Sequence, residues 1–178
     1  MTSRKYKGTL SVFTGDGKGK TTAALGTALR AAGRGMEVLI LQFMKGLSDL
    51  GEIHALKRCR LPVTFMQFGR PGFANSRVCE PLDIHIAQQG FKTFREAMAS
   101  GDYDMIILDE INIAISFGLL KVEEVLEAIR HRPPRLHLVM TGRNADVALI
   151  EMADLVTEMS DVKHPFHKGI KGEKGIEF

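Results

Sequence analysis

Short, nearly continuous apolar runs at 10–13, 38–43, 63–68, 105–108, 136–140 and 155–158 are separated by longer segments of helical period. That alternation leaves few folds open. Parallel strands need a crossover between them, and the crossover is usually a helix, so the pattern predicts an α/β protein with a mainly parallel sheet of five or six strands and helices on both faces. A strand covered on both faces has no solvent side, so its residues need not alternate. Helices are expected at 20–32, 81–98, 122–131 and, shorter, at 144–152, with Gly33 and Gly35 closing the first and Pro133 and Pro134 following the third. The 178 residues suit a single domain spanning 1–178, and no repeat, low-complexity tract or linker divides it. Two segments read as arms. Residues 1–8 form an N-terminal arm, and 162–178, with Gly169, Gly172 and Gly175 among lysines Lys163, Lys168, Lys171 and Lys174, form a C-terminal arm expected to drape over a site.

Composition narrows the function classes. Hydrophobic residues at 44% and charged residues at 25% exclude a disordered chain. The excess of 24 Lys and Arg over 21 Asp and Glu is too mild to announce a nucleic-acid binder, and stacking aromatics are scarce at 7% with no tryptophan. Cys59 and Cys79 lie far apart with no C-x-x-C pair, so neither a zinc site nor a disulfide framework is expected and a reducing cytoplasm suits the chain. No apolar stretch approaches the roughly 20 residues that cross a bilayer, and the basic start of the chain is not expected to be a signal peptide.

The chemistry gathers after the first strand. Gly15, Asp16, Gly17, Lys18, Gly19, Lys20, Thr21 and Thr22 form a glycine loop leading straight into an alanine-rich helix. Glycines let the backbone curl so that N–H groups face phosphate oxygens, and the helix N-terminus adds partial positive charge. Lys20 is expected to neutralise phosphates, and the Thr21 hydroxyl to ligate Mg²⁺, for which Mn²⁺ is the natural substitute. The loop is one residue shorter than the usual spacing, with Thr14 where a glycine is customary. A second cluster, Asp109 and Glu110, ends the apolar run 105–108; in parallel sheets ligands collect at the carboxyl ends of strands, so this pair is expected beside the loop. Magnesium takes only one or two carboxylates along with phosphates and waters, so one of the two is expected to act through water.

Other residues on the same edge are Arg143, placed to hold triphosphate with its fork of donors, and the loop residues Lys45, Gly46 and Glu52. His164 and His167 lack a third ligand at useful spacing and are assigned no metal. Lys163 belongs to the basic arm, and the nine methionines read as core filling.

The segments VFTGDGKGKTTAALGTALRAAGRG, LQFMKG followed by GE, DMIILDEI, MTGRNA, and ADLVTEM-x-x-VKHPF ending in GIKGEKGIEF resemble the ATP:corrinoid adenosyltransferases of the enterobacterial type, nearly end to end. The short loop is part of that family's pattern. The resemblance implies a RecA-like P-loop fold, a homodimer, and transfer of the 5′-deoxyadenosyl group from ATP to the cobalt(I) of a corrinoid, with triphosphate leaving. It also implies that a flavoprotein or similar reductase supplies the electron taking cobalt(II) to cobalt(I), that the triphosphate lies across the loop in an unusual orientation, and that Phe73 packs beneath the cobalt. Asn75 stands where enterobacterial members carry a tryptophan. Cobalt(I) is itself a strong nucleophile, which agrees with a sequence that offers no Ser/His/Asp or Cys/His arrangement. The residues alone leave two other readings open: a nucleotide kinase or ATPase, and a nucleotide-dependent module gripping nucleic acid.

Overall fold

In the computed structural model, which describes residues 7–46, 49–70 and 79–176, the chain runs as β1 (Leu10–Thr14), α1 (Lys20–Ala32), β2 (Val38–Phe43), α2 (Gly51–Cys59), β3 (Val63–Phe68), α3 (Pro81–Ser100), β4 (Met105–Asp109), α4 (Ile111–Ser116), α5 (Val122–Arg130), β5 (His137–Thr141), α6 (Val147–Met152) and β6 (Leu155–Glu158). All strand pairs are parallel, in the order β3-β2-β4-β5-β1-β6. The expected α/β architecture is therefore present, with every carboxyl strand end on one edge.

Two apolar layers flank the sheet. Alternate residues of β2, β4 and β5 (Ile40, Ile107, Val139) meet Ala24, Ala28 and Ala31 of α1, whose small side chains let the helix approach closely. The opposite faces (Leu41, Leu108, Met140) meet Phe91 and Phe94 of α3, Val125 and Ile129 of α5, and Leu149 of α6. Strands β2 and β4 are buried at every residue, which explains sequences that are apolar apart from Gln42 and Asp109 at their carboxyl ends. The edges behave otherwise: β3 alternates, and all four residues of β6 are exposed. An apolar run alone cannot tell a central strand from an edge strand.

Local signals set most helix ends. Pro81 opens α3 inside a reciprocal capping box made by Glu80 and Asp83, and Gly101 closes it in the left-handed conformation. The Asp146 side chain accepts the Ala148 N–H, which delays α6 to Val147, three residues beyond its expected start. Helices α2 and α4 escape the sequence reading: α2 buries only Ile53, and α4 follows β4 with the single residue Glu110 between them. The C-terminal arm contributes one 3₁₀ turn, Pro165–Lys168, and is otherwise irregular.

Helix α3 crosses the sheet at Gly90, where an added Cβ would come within 2.7 Å of Phe68 Cγ and 2.8 Å of Phe43 Cε1. Alanine is worth about 1 kcal/mol over glycine in a helix, but overpacking a filled core costs about 1–3 kcal/mol. We expect Gly90→Ala to lower stability by about 1 kcal/mol in urea unfolding; an increase would show that the two phenylalanines yield freely.

Candidate active site

The glycine loop owes its shape to main chain passing main chain. Gly15 has φ 90° and Gly19 φ 123°, a region that L side chains rarely enter. A Cβ on Gly15 would lie 2.5 Å from Met159 O, and one on Gly17 would lie 2.6 Å from Ser160 O. The stretch after β6 is stitched to the loop by Gly17 N–H to Met159 O at 2.6 Å and Met159 N–H to Thr14 O at 2.9 Å. The Gly17 N–H thus serves the scaffold, a departure from the expectation that the loop amides in succession face a phosphate. Thr14, where a glycine is customary, turns its hydroxyl to accept the Ala145 N–H at 3.2 Å and so ties the loop to the turn after β5.

Lys20 begins α1 and curls back into the loop. Its ammonium donates to Gly15 O at 2.6 Å and Gly17 O at 2.7 Å, and the residue is only 9% exposed. Burial pushes its pKa down, with Arg143 adding to the effect and Glu110, Asp16 and Asp109 opposing it. Thr21 is half-buried and lines, together with Asp109, a shallow recess between α1 and the sheet; Thr22 is exposed.

The sheet's carboxyl edge carries a row of polar side chains. Gln67 of β3 faces Gln42 of β2, Gln42 faces Asp109 of β4, and Thr141 follows Met140, the partner of Leu108. Residues in register on neighbouring strands share a face, so the row can bond along its length. Gln67 Nε2 donates to Gln42 Oε1 at 2.8 Å, Gln42 Nε2 donates to Asp109 Oδ2 at 2.8 Å, and the Thr141 hydroxyl donates to Asp109 Oδ1 at 2.6 Å. Asp109 is 1% exposed, with a donor on each oxygen. The Thr141 hydroxyl also accepts the N–H of Glu110 at 2.9 Å. Glu110 sits in the left-handed region at φ 61°, so the chain turns sharply and both carboxylates stay at the strand end. Burial raises the Glu110 pKa, Asp109 raises it further, and Lys45, Lys20 and Arg143 pull it down.

Cations from three strand ends converge on this pair. Lys45 Nζ lies 3.8 Å from Asp109 Oδ2 and 3.8 Å from Glu110 Oε1. Arg143 Nη2 donates to Asp16 O at 3.1 Å, and its Nε lies 3.7 Å from Asp16 Oδ1. Behind Arg143, Asn112 Nδ2 donates to Gly142 O at 3.2 Å, and its buried Oδ1 has no partner among the described residues. The C-terminal arm returns over the same edge: Lys18 Nζ donates to Ile176 O at 2.8 Å, and Lys174 pairs with Asp49 at 2.7 Å.

Most of the residues singled out in the sequence fall into two groups, whereas Glu52, expected in a loop, lies in the first turn of α2. Residues 15–22, Lys45, Asp109, Glu110 and Arg143 share one edge of the sheet. His164 and His167 do not join them: the former caps the 3₁₀ turn by accepting the Phe166 N–H, and the latter meets Asp161 at 2.8 Å. Phe73 and Asn75 lie outside the described residues. Gln42, Gln67 and Thr141 were missed by sequence reading, although each is a polar residue within or at the end of an otherwise apolar strand, which is the signal that marks them.

A family model described as "ATP:corrinoid adenosyltransferase BtuR/CobO/CobP" matches residues 6–178. The corrinoid adenosyltransferase of Pseudomonas aeruginosa is 42% identical over 99% of this chain and 86% of that protein. The Escherichia coli K12 protein of the same name is 36% identical over 97% of this chain and 86% of its own length. Among solved structures, the RadB recombinase superposes with a TM-score of 0.55 at 17% identity, covering 89% of this chain and 77% of that one. A KaiC-like protein from Pyrococcus horikoshii OT3 gives 0.53 at 13% identity, covering 85% and 73%. At such identities the two structures share the fold alone.

Ionised Glu110 is a cost to the ligand-free fold. Its folded pKa stands above the ordinary 4.5, so between the two values the folded state binds more protons than the unfolded state, and stability rises as pH falls. Glu110→Gln removes that cost. We expect the variant without ligands to melt above wild type at neutral pH, with the gap closing as pH drops through the raised pKa; a variant that melts lower at every pH would contradict this account.

Proposed function

The chain belongs to the ATP:corrinoid adenosyltransferase family, and we propose that residues 15–22, Asp109, Glu110 and Arg143 hold the triphosphate of ATP while its adenosyl group passes to the corrinoid. The activity is that of a transferase; a kinase, ATPase or nucleic-acid module is not favoured. The observation that carries the assignment of residues is the convergence of Lys20, Lys45 and Arg143 with buried Asp109 and partly buried Glu110 on one strand-end edge.

The nucleophile arrives with the substrate. Cobalt(I) attacks C5′ of ATP, a cobalt–carbon bond forms, the C5′–O bond breaks, and the electron pair leaves with the triphosphate. No general base is needed, so the protein's task is to orient the nucleotide and stabilise charge on the departing oxygen. Lys20, held on two loop carbonyls, trades them for phosphate oxygens, and its low solvent exposure strengthens that contact. Arg143 makes the same exchange from Asp16, and its planar fork suits a phosphate.

Hard oxygen donors from Thr21, Asp109 and Glu110 suit Mg²⁺, or Mn²⁺ in its place, and an ammonium already poised between the two carboxylates marks the position as one that attracts a cation. Bound there, the ion would offset negative charge on the triphosphate. Both Asp109 oxygens already accept hydrogen bonds, so Glu110 is the better direct ligand and Asp109 acts through water.

Phe73 keeps the role beneath cobalt that the resemblance implies. A flavoprotein or similar reductase supplies the electron for cobalt(II), the active form is a homodimer, and the setting is the cytoplasm; among the described residues no helix is long and apolar enough to cross a membrane.

Purified protein mixed with Mg-ATP and chemically reduced cob(I)alamin tests the reading. We expect the corrin spectrum to report alkylation with one triphosphate per cobalt, and Lys20→Ala to slow it by about 10²–10³-fold, the loss typical of one removed charge-stabilising donor. ADP or orthophosphate without cobalt alkylation would overturn the assignment.

A further inference from the structure

Lys20 and Arg143 are occupied by weak internal acceptors, main-chain carbonyls and an exposed aspartate, whereas Lys45 faces the acidic pair itself. Its ammonium stands 3.8 Å from a carboxylate oxygen of each residue. Such a position takes building, because a lysine on a surface loop would ordinarily point to water. Here the turn after β2 is locked on both sides. Met44 adopts φ 64°, and its N–H donates to Phe68 O at 2.9 Å. A Cβ on Gly46 would lie 2.5 Å from Gly69 O, and one on Gly69 would lie 2.4 Å from Lys45 N. The turns after β2 and β3 therefore pass backbone against backbone at Lys45. The Lys45 main chain has little room to move, and its side chain is two-thirds buried.

The target is equally fixed. Gln42 and Thr141 hold the Asp109 carboxylate, and Thr141 holds the Glu110 N–H, so one carboxylate is fixed directly and the other is anchored beside it through its main chain. Adjacent carboxylates with restricted solvent need a cation, and the ammonium supplies one unit of charge where a divalent ion would supply two. An ion binding the pair alone must first displace Lys45 into water. An ion arriving with a nucleotide brings the triphosphate with it, and the triphosphate offers the displaced ammonium a new anionic partner.

We propose that Lys45 is a positioning residue that keeps the Asp109–Glu110 pair closed to a free divalent cation and releases it to the metal–nucleotide complex, so that metal enters only with ATP. The inference rests on the metal reading given above for Asp109 and Glu110. In thermodynamic terms, only the fraction of molecules with Lys45 displaced is competent for the bare ion, and the apparent affinity falls by that fraction.

The test measures Mn²⁺ binding to the full chain by electron paramagnetic resonance, with and without ATP, no corrinoid being present. Wild type should bind Mn²⁺ weakly alone and far more tightly with ATP. Lys45→Met should bind the bare ion at least tenfold more tightly than wild type, at one site per chain. The ratio of affinities with and without ATP should shrink by at least the same factor. Lys45→Arg should behave as wild type, and adding Glu110→Gln to Lys45→Met should abolish the gain. Lys45→Gln, with melting curves for every variant, guards against a packing effect of methionine. Equal affinity of wild type, Lys45→Met and Lys45→Gln for bare Mn²⁺ overturns the inference while leaving the metal reading intact. Mn²⁺ binding with ATP that survives Asp109→Asn with Glu110→Gln overturns the metal reading, and the role of Lys45 with it.

Discussion

Contact between the glycine loop and the main chain after β6 holds the rest of the site in place. Gly15 and Gly17 pass so close to Met159 and Ser160 that no side chain fits between, and two hydrogen bonds, from Gly17 N–H and Met159 N–H, seal the seam. Backbone cannot retreat as a flexible side chain can, so the loop has one available course. Everything anchored on it inherits that precision: Lys20 through the Gly15 and Gly17 carbonyls, Arg143 through Asp16, and Lys18 through the returning arm. Strand β6, exposed at all four residues, contributes little to the core and owes its importance to this scaffold role.

Electrostatic tension fills the frame so made. The Lys20 ammonium is buried and the Glu110 carboxylate partly so, and the loss of water moves the pKa of each toward its neutral form. Asp109 is held ready by a polar row that extends the apolar stripe of the α1 face by one residue per strand. The arrangement costs stability without ligands and offers interactions a nucleotide would satisfy, the usual trade at a functional site. Left-handed Glu110 belongs to the same economy, since its strain keeps two carboxylates at a single strand end.

The C-terminal arm spans the edge from the glycine loop to the far side of the sheet. Its moorings are the Lys18 bond to Ile176 O and the Lys174 pair with Asp49. The latter is exposed and screened by solvent, so the arm rests on the edge without being locked to it. Its exposed apolar residues, among them Phe166 and Ile170, add nothing to the core.

Much of this was legible in the sequence, and the reasons differ by element. Strand positions followed from apolar runs, and for the central strands β2 and β4 burial on two faces is the reason those runs are nearly continuous. Helix α1 followed from its glycine loop and alanines, and the role of residues 15–22 from the need of phosphate for small residues, a lysine and a hydroxyl. Asp109 and Glu110 were readable as a pair because they interrupt an apolar run. What tertiary structure alone decided is how separate strand ends meet. Gln42, Gln67 and Thr141 become one network only through parallel register. Lys45 faces the acids only because Gly46 and Gly69 pass backbone to backbone. Local patterns encode which face of an element is apolar; they carry no record of which strands become neighbours, and the hydrogen bonds of the polar row all join residues at least 25 positions apart.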